Sequence, residues 1–127
     1  MKILLIDDED DIRRIARLGL ARVGGMDVVD AASGLEGVRK AEQERPDAIL
    51  LDVMMPGLDG PSTLAALRAN PATARIPVLF LTAKAMSAEV QRLKELGVAG
   101  VLIKPFDPMT LASQVRALLG ACVDRGG

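Results

Sequence analysis

The chain has few aromatic residues and a single cysteine, and both shortages exclude functions. Its 127 residues include no tryptophan, no tyrosine and two phenylalanines, Phe80 and Phe106, so it has no aromatic platform for stacking nucleic-acid bases. Cys122 is the only cysteine, which rules out an internal disulfide and favours a reducing compartment, here taken as the cytoplasm. We interpret Cys122 itself as a small apolar residue of the last helix.

A strong net charge and long apolar runs are also missing. Sixteen basic and seventeen acidic residues give a formal charge of −1, and no basic cluster predicts a grip on the phosphate backbone of nucleic acid. No apolar run approaches a membrane span, and the first strand meets acidic residues too early for a signal peptide. We therefore expect protein partners, with no membrane contact and no direct nucleic-acid binding.

Short apolar runs alternate with segments of helical period along the whole chain. This alternation is typical of an α/β fold with a parallel sheet, and the length suits one domain. We predict the domain over residues 1–121 and a C-terminal tail over residues 122–127. The five predicted strands are Lys2–Ile6, 26–30, 47–51, 77–81 and Gly100–Ile103.

Five helices are predicted between and after these strands from periodicity and from capping residues. The first has an apolar face predicted to point inward and arginines predicted to be largely solvated. The inward set is Ile12, Ile15, Ala16 and residues 18–20, and the arginines are Arg13, Arg14, Arg17 and Arg22. The later helices are predicted to run from Gly34 to Glu44, to start at Pro61, to be capped by Ser87, and to start at Asp107.

Four of the predicted strands end in residues that can bind metal or phosphate. These are the pair Asp7-Asp8, then Asp52, Thr82 and Lys104. The carboxyl ends of parallel strands meet at one edge of the sheet, where ligands of such folds bind. Three carboxylates gathered there would repel one another, so either one takes a proton with a raised pKa or a hard cation neutralises the group. Mg²⁺ suits the second solution because it prefers oxygen ligands.

Asp52 is the most informative of these residues. It interrupts the otherwise apolar run 48–55, and a buried aspartate normally has a charge partner. A carboxylate can also attack phosphorus and form an acyl phosphate. The Thr82 hydroxyl and the Lys104 ammonium can bind phosphoryl oxygens, although each of these side chains alone has an ordinary structural explanation. Pro105 can hold a cis peptide, but most bonds that precede proline are trans.

Taken together in this order and spacing, these motifs resemble the receiver domain of two-component response regulators, over residues 2–119. The resemblance implies a flavodoxin-like, doubly wound, five-stranded parallel sheet of order 2-1-3-4-5, flanked by five helices. The motifs that carry it are Asp7-Asp8, Asp52, Met55-Pro56-Gly57, Asp59-Gly60, Thr82-Ala83 and Lys104-Pro105-Phe106.

The resemblance also implies a function. Asp52 would accept a phosphoryl group from a phosphohistidine on a sensor histidine kinase or phosphotransfer protein, with Mg²⁺ required, and Thr82 and Lys104 would contact the phosphoryl oxygens. Asp8, Asp52 and the backbone carbonyl of Met54 would bind the metal directly, and Asp7 would act largely through water. The phosphorylated domain would then dock to a downstream effector protein, as a monomer or as a phosphorylation-dependent dimer.

Two positions modify this expectation. Val101 stands where family members commonly carry Tyr or Phe, and its side chain cannot sweep a comparable volume. Output is therefore expected through the fourth helix alone or through a partner docked near Asp52. Met54 and Lys84 flank the path of an attacking water, and Met54 has no group to orient it. We therefore expect slow autodephosphorylation, so that the protein is a phosphoacceptor rather than a turnover enzyme.

Three alternatives stay open at this point. A haloacid-dehalogenase-like phosphatase would need a second aspartate two residues after Asp52 as a general acid, where this chain has Met54. A flavodoxin-like cofactor module would bind phosphate after the first strand, where the acidic run 7–11 would repel it. The third alternative is a degenerate receiver that acts only as an interaction module independent of phosphorylation, for which the Val101 departure is the main support.

Overall fold

A computed structural model describes residues 1–126 of the chain and the side chains of residues 1–120. Five strands alternate with five helices, as the pattern of the sequence predicts. The strands are β1 (Lys2–Ile6), β2 (Asp27–Ala31), β3 (Ala48–Asp52), β4 (Val78–Thr82) and β5 (Gly100–Ile103). The helices are α1 (Asp10–Arg17), α2 (Gly34–Glu44), α3 (Gly60–Ala69), α4 (Ser87–Lys94) and α5 (Leu111–Gly126).

All strand pairs are parallel, and the order across the sheet is β2-β1-β3-β4-β5. The predicted fold class and strand order are therefore confirmed. Helices cover both faces, so the central strands β1, β3 and β4 are apolar and buried. Successive residues of β1 point to opposite faces, and Ile3 and Leu5 enter one core cluster whereas Leu4 and Ile6 enter the other.

The limits of β1, β5 and α2 match the prediction, but β2, β3 and β4 each lie one residue further along the chain. In β3 and β4 the polar residue after the apolar run still pairs with the adjacent strand. Asp52 lies opposite Leu81 of β4, and Thr82 lies opposite Ile103 of β5. Asp52 and Thr82 are therefore strand residues, and the backbone of the sheet holds both.

The inward face predicted for the first helix is partly wrong. Ala16 and Leu20 are buried, but Ile15 and Leu18 are 40% and 47% exposed. After Arg17 the helix continues as a π-helical segment, Leu18–Val23. Gly19, which the predicted set includes, is buried, and a Cβ there would lie 2.5 Å from the Pro108 carbonyl oxygen. The buried residues Ala16, Gly19 and Leu20 have ordinary helical spacing, so the predicted face was too wide.

Two predicted helix starts also need correction. Ser87 is the first residue of α4 rather than its cap, and Met86 takes the cap position without a side-chain hydrogen bond. The last helix begins at Leu111 rather than at Asp107. Asp107 forms a separate turn, in which its carboxylate accepts a hydrogen bond from the Met109 N–H at 2.8 Å.

The predicted boundary after residue 121 falls within α5, where side chains are not described, and it stays a prediction. The interpretation of Cys122 lies outside the described side chains for the same reason. Over residues 1–126, every helix is too short or too polar to cross a bilayer.

Candidate functional site

The ends of β1 and β3 bring acidic side chains together at the carboxyl edge of the sheet. The strands pair in parallel with Ile6 opposite Leu51, so the residue that follows each of them, Asp7 or Asp52, lies at the same edge. Asp7 and Asp52 are buried, and the side chains that follow Asp7 are more open to solvent. One carboxylate oxygen from each of Asp7, Asp8, Glu9 and Asp52 lies within 4.8 Å of the others. We call these four residues the acidic pocket.

Lys104 reaches the acidic pocket from the end of β5. Its Nζ lies 2.8 Å from Asp7 Oδ2 and 3.1 Å from Asp52 Oδ1. Its side chain is 10% exposed, and those of Asp7 and Asp52 are 0% and 5% exposed. The peptide bond between Lys104 and Pro105 is cis. The structure thus gathers Lys104, Asp7 and Asp52 into one buried ionic group.

Of the other two predicted site residues, Thr82 is buried and Met54 is exposed. Thr82 is buried at the end of β4, next to β3, and its hydroxyl oxygen accepts a hydrogen bond from the Lys84 N–H at 3.1 Å. Met54 lies on the loop after β3, and its side chain is 67% exposed. The contacts of the described residues do not test the Met54 carbonyl as a metal ligand, so that assignment stays a prediction.

A glycine lets the loop after β3 fold back onto Asp52. The Gly60 N–H donates to the Val53 carbonyl at 2.9 Å. A Cβ on Gly60 would lie 2.6 Å from the Asp52 carbonyl oxygen. Asp59 caps α3 by accepting a hydrogen bond from the Ser62 N–H at 2.8 Å. Hydrogen bonds therefore restrain the segment 53–59 at both ends, and Asp52 directly precedes this segment.

Burial and charge shift the proton affinities of the central pair. Burial raises the pKa of Asp52 from 3.8 to about 6, and repulsion from Asp7 acts in the same direction, against the hydrogen bond from Lys104. Burial works against the Lys104 ammonium, but hydrogen bonds from it to Asp7 and Asp52 outweigh that penalty, so the pKa of Lys104 is raised. Lys104 is accordingly a cation at neutral pH.

The chemistry of the donor set fits a hard divalent cation. Four carboxylates face a single ammonium, which leaves the pocket with excess negative charge. Carboxylate oxygens are the ligands that Mg²⁺ prefers. The excess charge and the oxygen ligands together give the pocket the properties of a Mg²⁺ site.

Two residues near the pocket were not predicted from the sequence. Glu9 belongs to the pocket, and the acidic run 7–11 was the signal that pointed to it. Arg13 was predicted to be solvated, which is wrong: its side chain is 16% exposed, and it donates to the Asp7 carbonyl oxygen at 2.6 Å. Helical periodicity gave no signal for Arg13, because its partner belongs to the preceding loop.

Comparison with known proteins agrees with this geometry. A family model described as "Response regulator receiver domain" matches residues 3–116. The chain belongs to the response regulator receiver domain family. Its members are the receiver domains of two-component systems, so the predicted family is confirmed. Membership of this family is consistent with phosphorylation-dependent signalling.

Curated relatives and solved structures extend the match. Over 118 residues, 93% of this chain, the receiver is 41% identical to the Bacillus subtilis alkaline phosphatase synthesis transcriptional regulatory protein PhoP and 39% identical to the Mycobacterium tuberculosis transcriptional regulatory protein PrrA. These alignments cover 48% and 49% of the relatives, so the chain spans about half their length. The structure of Vibrio cholerae chemotaxis protein CheY4 superposes with a TM-score of 0.83 at 34% identity, covering 92% of this chain and 97% of CheY4.

Proposed function

We propose that this receiver is a phosphorylation-activated signalling switch that accepts a phosphoryl group on Asp52 from a phosphohistidine of a sensor histidine kinase or phosphotransfer protein. One observation carries the proposal: the buried Asp52 carboxylate lies in the acidic pocket and 3.1 Å from the Lys104 ammonium. These 127 residues contain no histidine, so the donor histidine lies outside them.

The transfer is a displacement at phosphorus. An Asp52 carboxylate oxygen attacks the phosphorus, the bond from phosphorus to the histidine nitrogen breaks, and that nitrogen keeps the electron pair and takes a proton. Asp8, Asp52 and the Met54 carbonyl would hold Mg²⁺ directly, with Asp7 acting largely through water. The ion supplies positive charge for the phosphoryl oxygens. Lys104 supplies further positive charge from its buried position.

Thr82 is suited to bind the transferred group. Its oxygen already accepts the Lys84 N–H, so its own hydroxyl hydrogen is available to donate to a phosphoryl oxygen. We propose that this new bond changes the loop after β4 and the position of α4. Val101 is half-buried on β5 and carries no aromatic ring, so output proceeds through α4 or through a partner near Asp52.

The proposed partners are the phosphodonor and a downstream effector, met in the cytoplasm by a monomer or by a phosphorylation-dependent dimer. Several relatives are transcriptional regulators by name, and the chain covers about half of their length. These names favour an effector that controls transcription.

Acetyl phosphate provides the direct test. With Mg²⁺ present, the wild-type receiver is expected to gain one phosphoryl mass in intact mass spectrometry, and Asp52→Asn is expected to gain none. Asp27→Asn is the control, because Asp27 is exposed on β2 and should label like the wild type. A wild-type protein that binds Mg²⁺ but never gains the mass would instead be a degenerate receiver.

Met54→Asn is expected to shorten the lifetime of the phosphorylated protein about tenfold, because an amide can orient the attacking water and a thioether cannot. The decay of the phosphorylated mass after removal of acetyl phosphate measures this lifetime. Met109→Asn is the matched control, since Met54 and Met109 are both 67% exposed and Met109 lies on the turn before α5. Equal lifetimes for the wild type and Met54→Asn would contradict the proposed role of this position.

A further inference from the structure

Arg13 connects the loop after β1 to the end of β2. Its guanidinium donates to the Asp7 carbonyl oxygen at 2.6 Å, pairs with Asp10, and lies 3.9 Å from Asp30 Oδ2. Arg17 approaches the same Asp30 oxygen at 3.2 Å. The carboxylate of Asp30 is therefore a shared anchor on β2, and Arg13 is the residue that links it to the acidic pocket.

The neighbouring arginine shows that this arrangement differs from an ordinary surface ion pair. Arg14 is 79% exposed and has a 3.7 Å pair with Asp11 one turn earlier. Such pairs contribute little to stability. Arg13 is 16% exposed, and its planar fork spans acceptors on the loop, the helix and the neighbouring strand, which a lysine cannot reproduce.

The other bonds of Asp7 show which part Arg13 controls. The Asp7 N–H donates to the Ala31 carbonyl at 3.1 Å, its Oδ1 accepts the Glu9 N–H at 2.9 Å, and its Oδ2 accepts from Lys104. The Asp7 carbonyl oxygen, which belongs to the peptide that leads to Asp8, accepts a hydrogen bond from Arg13. Arg13 therefore restrains the peptide plane from which the next two acidic side chains extend.

We propose that Arg13 is a positioning residue for the divalent cation that the acidic pocket binds. It holds the Asp7–Asp8 peptide against β2 and so sets the directions of the carboxylates that follow. The inference rests on the proposed function, because it concerns the cation that this function requires. Arg13 acts through the backbone and touches neither the cation nor the phosphoryl group.

Geometry and charge predict opposite results, which makes the inference testable. The positive charge of Arg13 by itself repels a cation, so its loss should strengthen Mg²⁺ binding if charge alone matters. Arg13→Lys keeps the charge and loses the fork. Weaker binding by Arg13→Lys is therefore a signature of positioning.

The experiment is an amide NMR titration with MgCl₂ of the wild type, Arg13→Lys, Arg13→Gln and Arg14→Lys. Arg13→Lys is expected to raise the Mg²⁺ Kd about tenfold, the low end for residues that orient metal ligands from outside the ligand set. Arg14→Lys is expected to leave the Kd unchanged. In EDTA, the amides of Asp8 and Glu9 should exchange hydrogen faster in Arg13→Lys than in the wild type.

Phosphorylation by acetyl phosphate adds a second readout. Arg13→Lys should need about tenfold more Mg²⁺ for half-maximal labelling and reach the wild-type rate at saturation. An unchanged Mg²⁺ Kd for Arg13→Lys overturns the inference. If Arg13→Gln also binds Mg²⁺ more tightly than the wild type, the charge of Arg13 alone explains its effect. If Arg13→Lys does not fold, as judged by circular dichroism, Asp30→Asn releases the same anchor, and the amides of Asp8 and Glu9 should then exchange hydrogen faster in EDTA than in the wild type; unchanged exchange there overturns the inference.

The two hypotheses fail in different ways. A wild-type protein that binds Mg²⁺ without taking a phosphoryl group overturns the proposed function, and the comparison of Kd values still decides the role of Arg13. Normal labelling of Asp52 together with equal Mg²⁺ affinities in Arg13→Lys and the wild type overturns only the role of Arg13. A wild type that binds no Mg²⁺ overturns both.

Discussion

Asp52→Asn is expected to stabilise the fold at neutral pH in EDTA by about 2–3 kcal/mol. The Asp52 carboxylate is buried and repelled by Asp7, and these effects raise its pKa from 3.8 to about 6 even though Lys104 is close. At neutral pH the folded protein therefore holds a carboxylate whose charged form its surroundings disfavour. An amide of the same shape avoids that penalty while still accepting a hydrogen bond from Lys104.

The sign of the pH dependence follows from the raised pKa. Below the unfolded-state value of 3.8, Asp52 is protonated in both states and behaves like the neutral variant. As the pH rises towards about 6, the unfolded state ionises first, so the wild type loses stability relative to Asp52→Asn. Above that pH the difference is at its full size.

Urea unfolding followed by far-UV circular dichroism measures this effect, since the chain has no tryptophan. The advantage of Asp52→Asn should be clear at about pH 7.5 and small at about pH 4. Asp27→Asn is the exposed control and should differ little from the wild type. Mg²⁺ at about a hundred times its Kd should stabilise the wild type by about 2.7 kcal/mol. The difference in unfolding free energy between Asp52→Asn and the wild type should then become smaller. A variant less stable than the wild type in EDTA at neutral pH would show that the Lys104 contact outweighs the burial and repulsion of Asp52.

Lys104→Met is expected to destabilise the fold in EDTA by about 3–5 kcal/mol, the usual cost of removing one partner from a buried ion pair. Lys104 is the cation in contact with both Asp7 and Asp52, and all three side chains are at least 90% buried. Its removal leaves two adjacent carboxylates without a counter-charge. Phosphorylation by acetyl phosphate should also slow by about a hundredfold or more, because the loss removes charge that faces the phosphoryl oxygens.

Three comparisons make this prediction specific. Lys2→Met removes a surface ion pair with Glu44 at 3.2 Å and should cost at most about 1 kcal/mol. Adding Asp52→Asn to Lys104→Met should recover more than the roughly 2–3 kcal/mol that Asp52→Asn gains alone, because the Asp52 carboxylate then has no cation beside it. Mg²⁺ should also restore part of the lost stability. A cost for Lys104→Met as small as that of the surface control would contradict a structural role for the buried ionic group.

Much of the fold follows from local patterns of the sequence. The limits of β1, β5 and α2 were predicted because apolar runs of strand length and the spacing of apolar residues in a helix each depend on a few neighbouring residues. The parallel arrangement followed from the alternation of strands with helices. The positions of Asp7-Asp8, Asp52, Thr82 and Lys104 followed from the rule that polar residues end buried strands.

Other features depend on contacts between distant segments. The side of the first helix that faces inward is set by the close packing of Gly19 against Pro108, which leaves Ile15 and Leu18 exposed. The burial of Arg13 depends on a carbonyl oxygen in the loop that precedes its helix and on an aspartate of another strand. Helical periodicity describes one element at a time and carries no information on either contact.

The sequence by itself determined the fold class, the order of strands and helices along the chain, and the residues proposed to carry phosphoryl chemistry, because these depend on residue type and short-range spacing. Only the tertiary structure decided which charged groups of the site are in contact and how their pKa values shift. The Lys104 ammonium meets the Asp7 carboxylate across 97 positions of sequence, and the pKa of Asp52 reflects burial and charges supplied by other strands. Energies of this kind depend on distances through space, which folding alone sets.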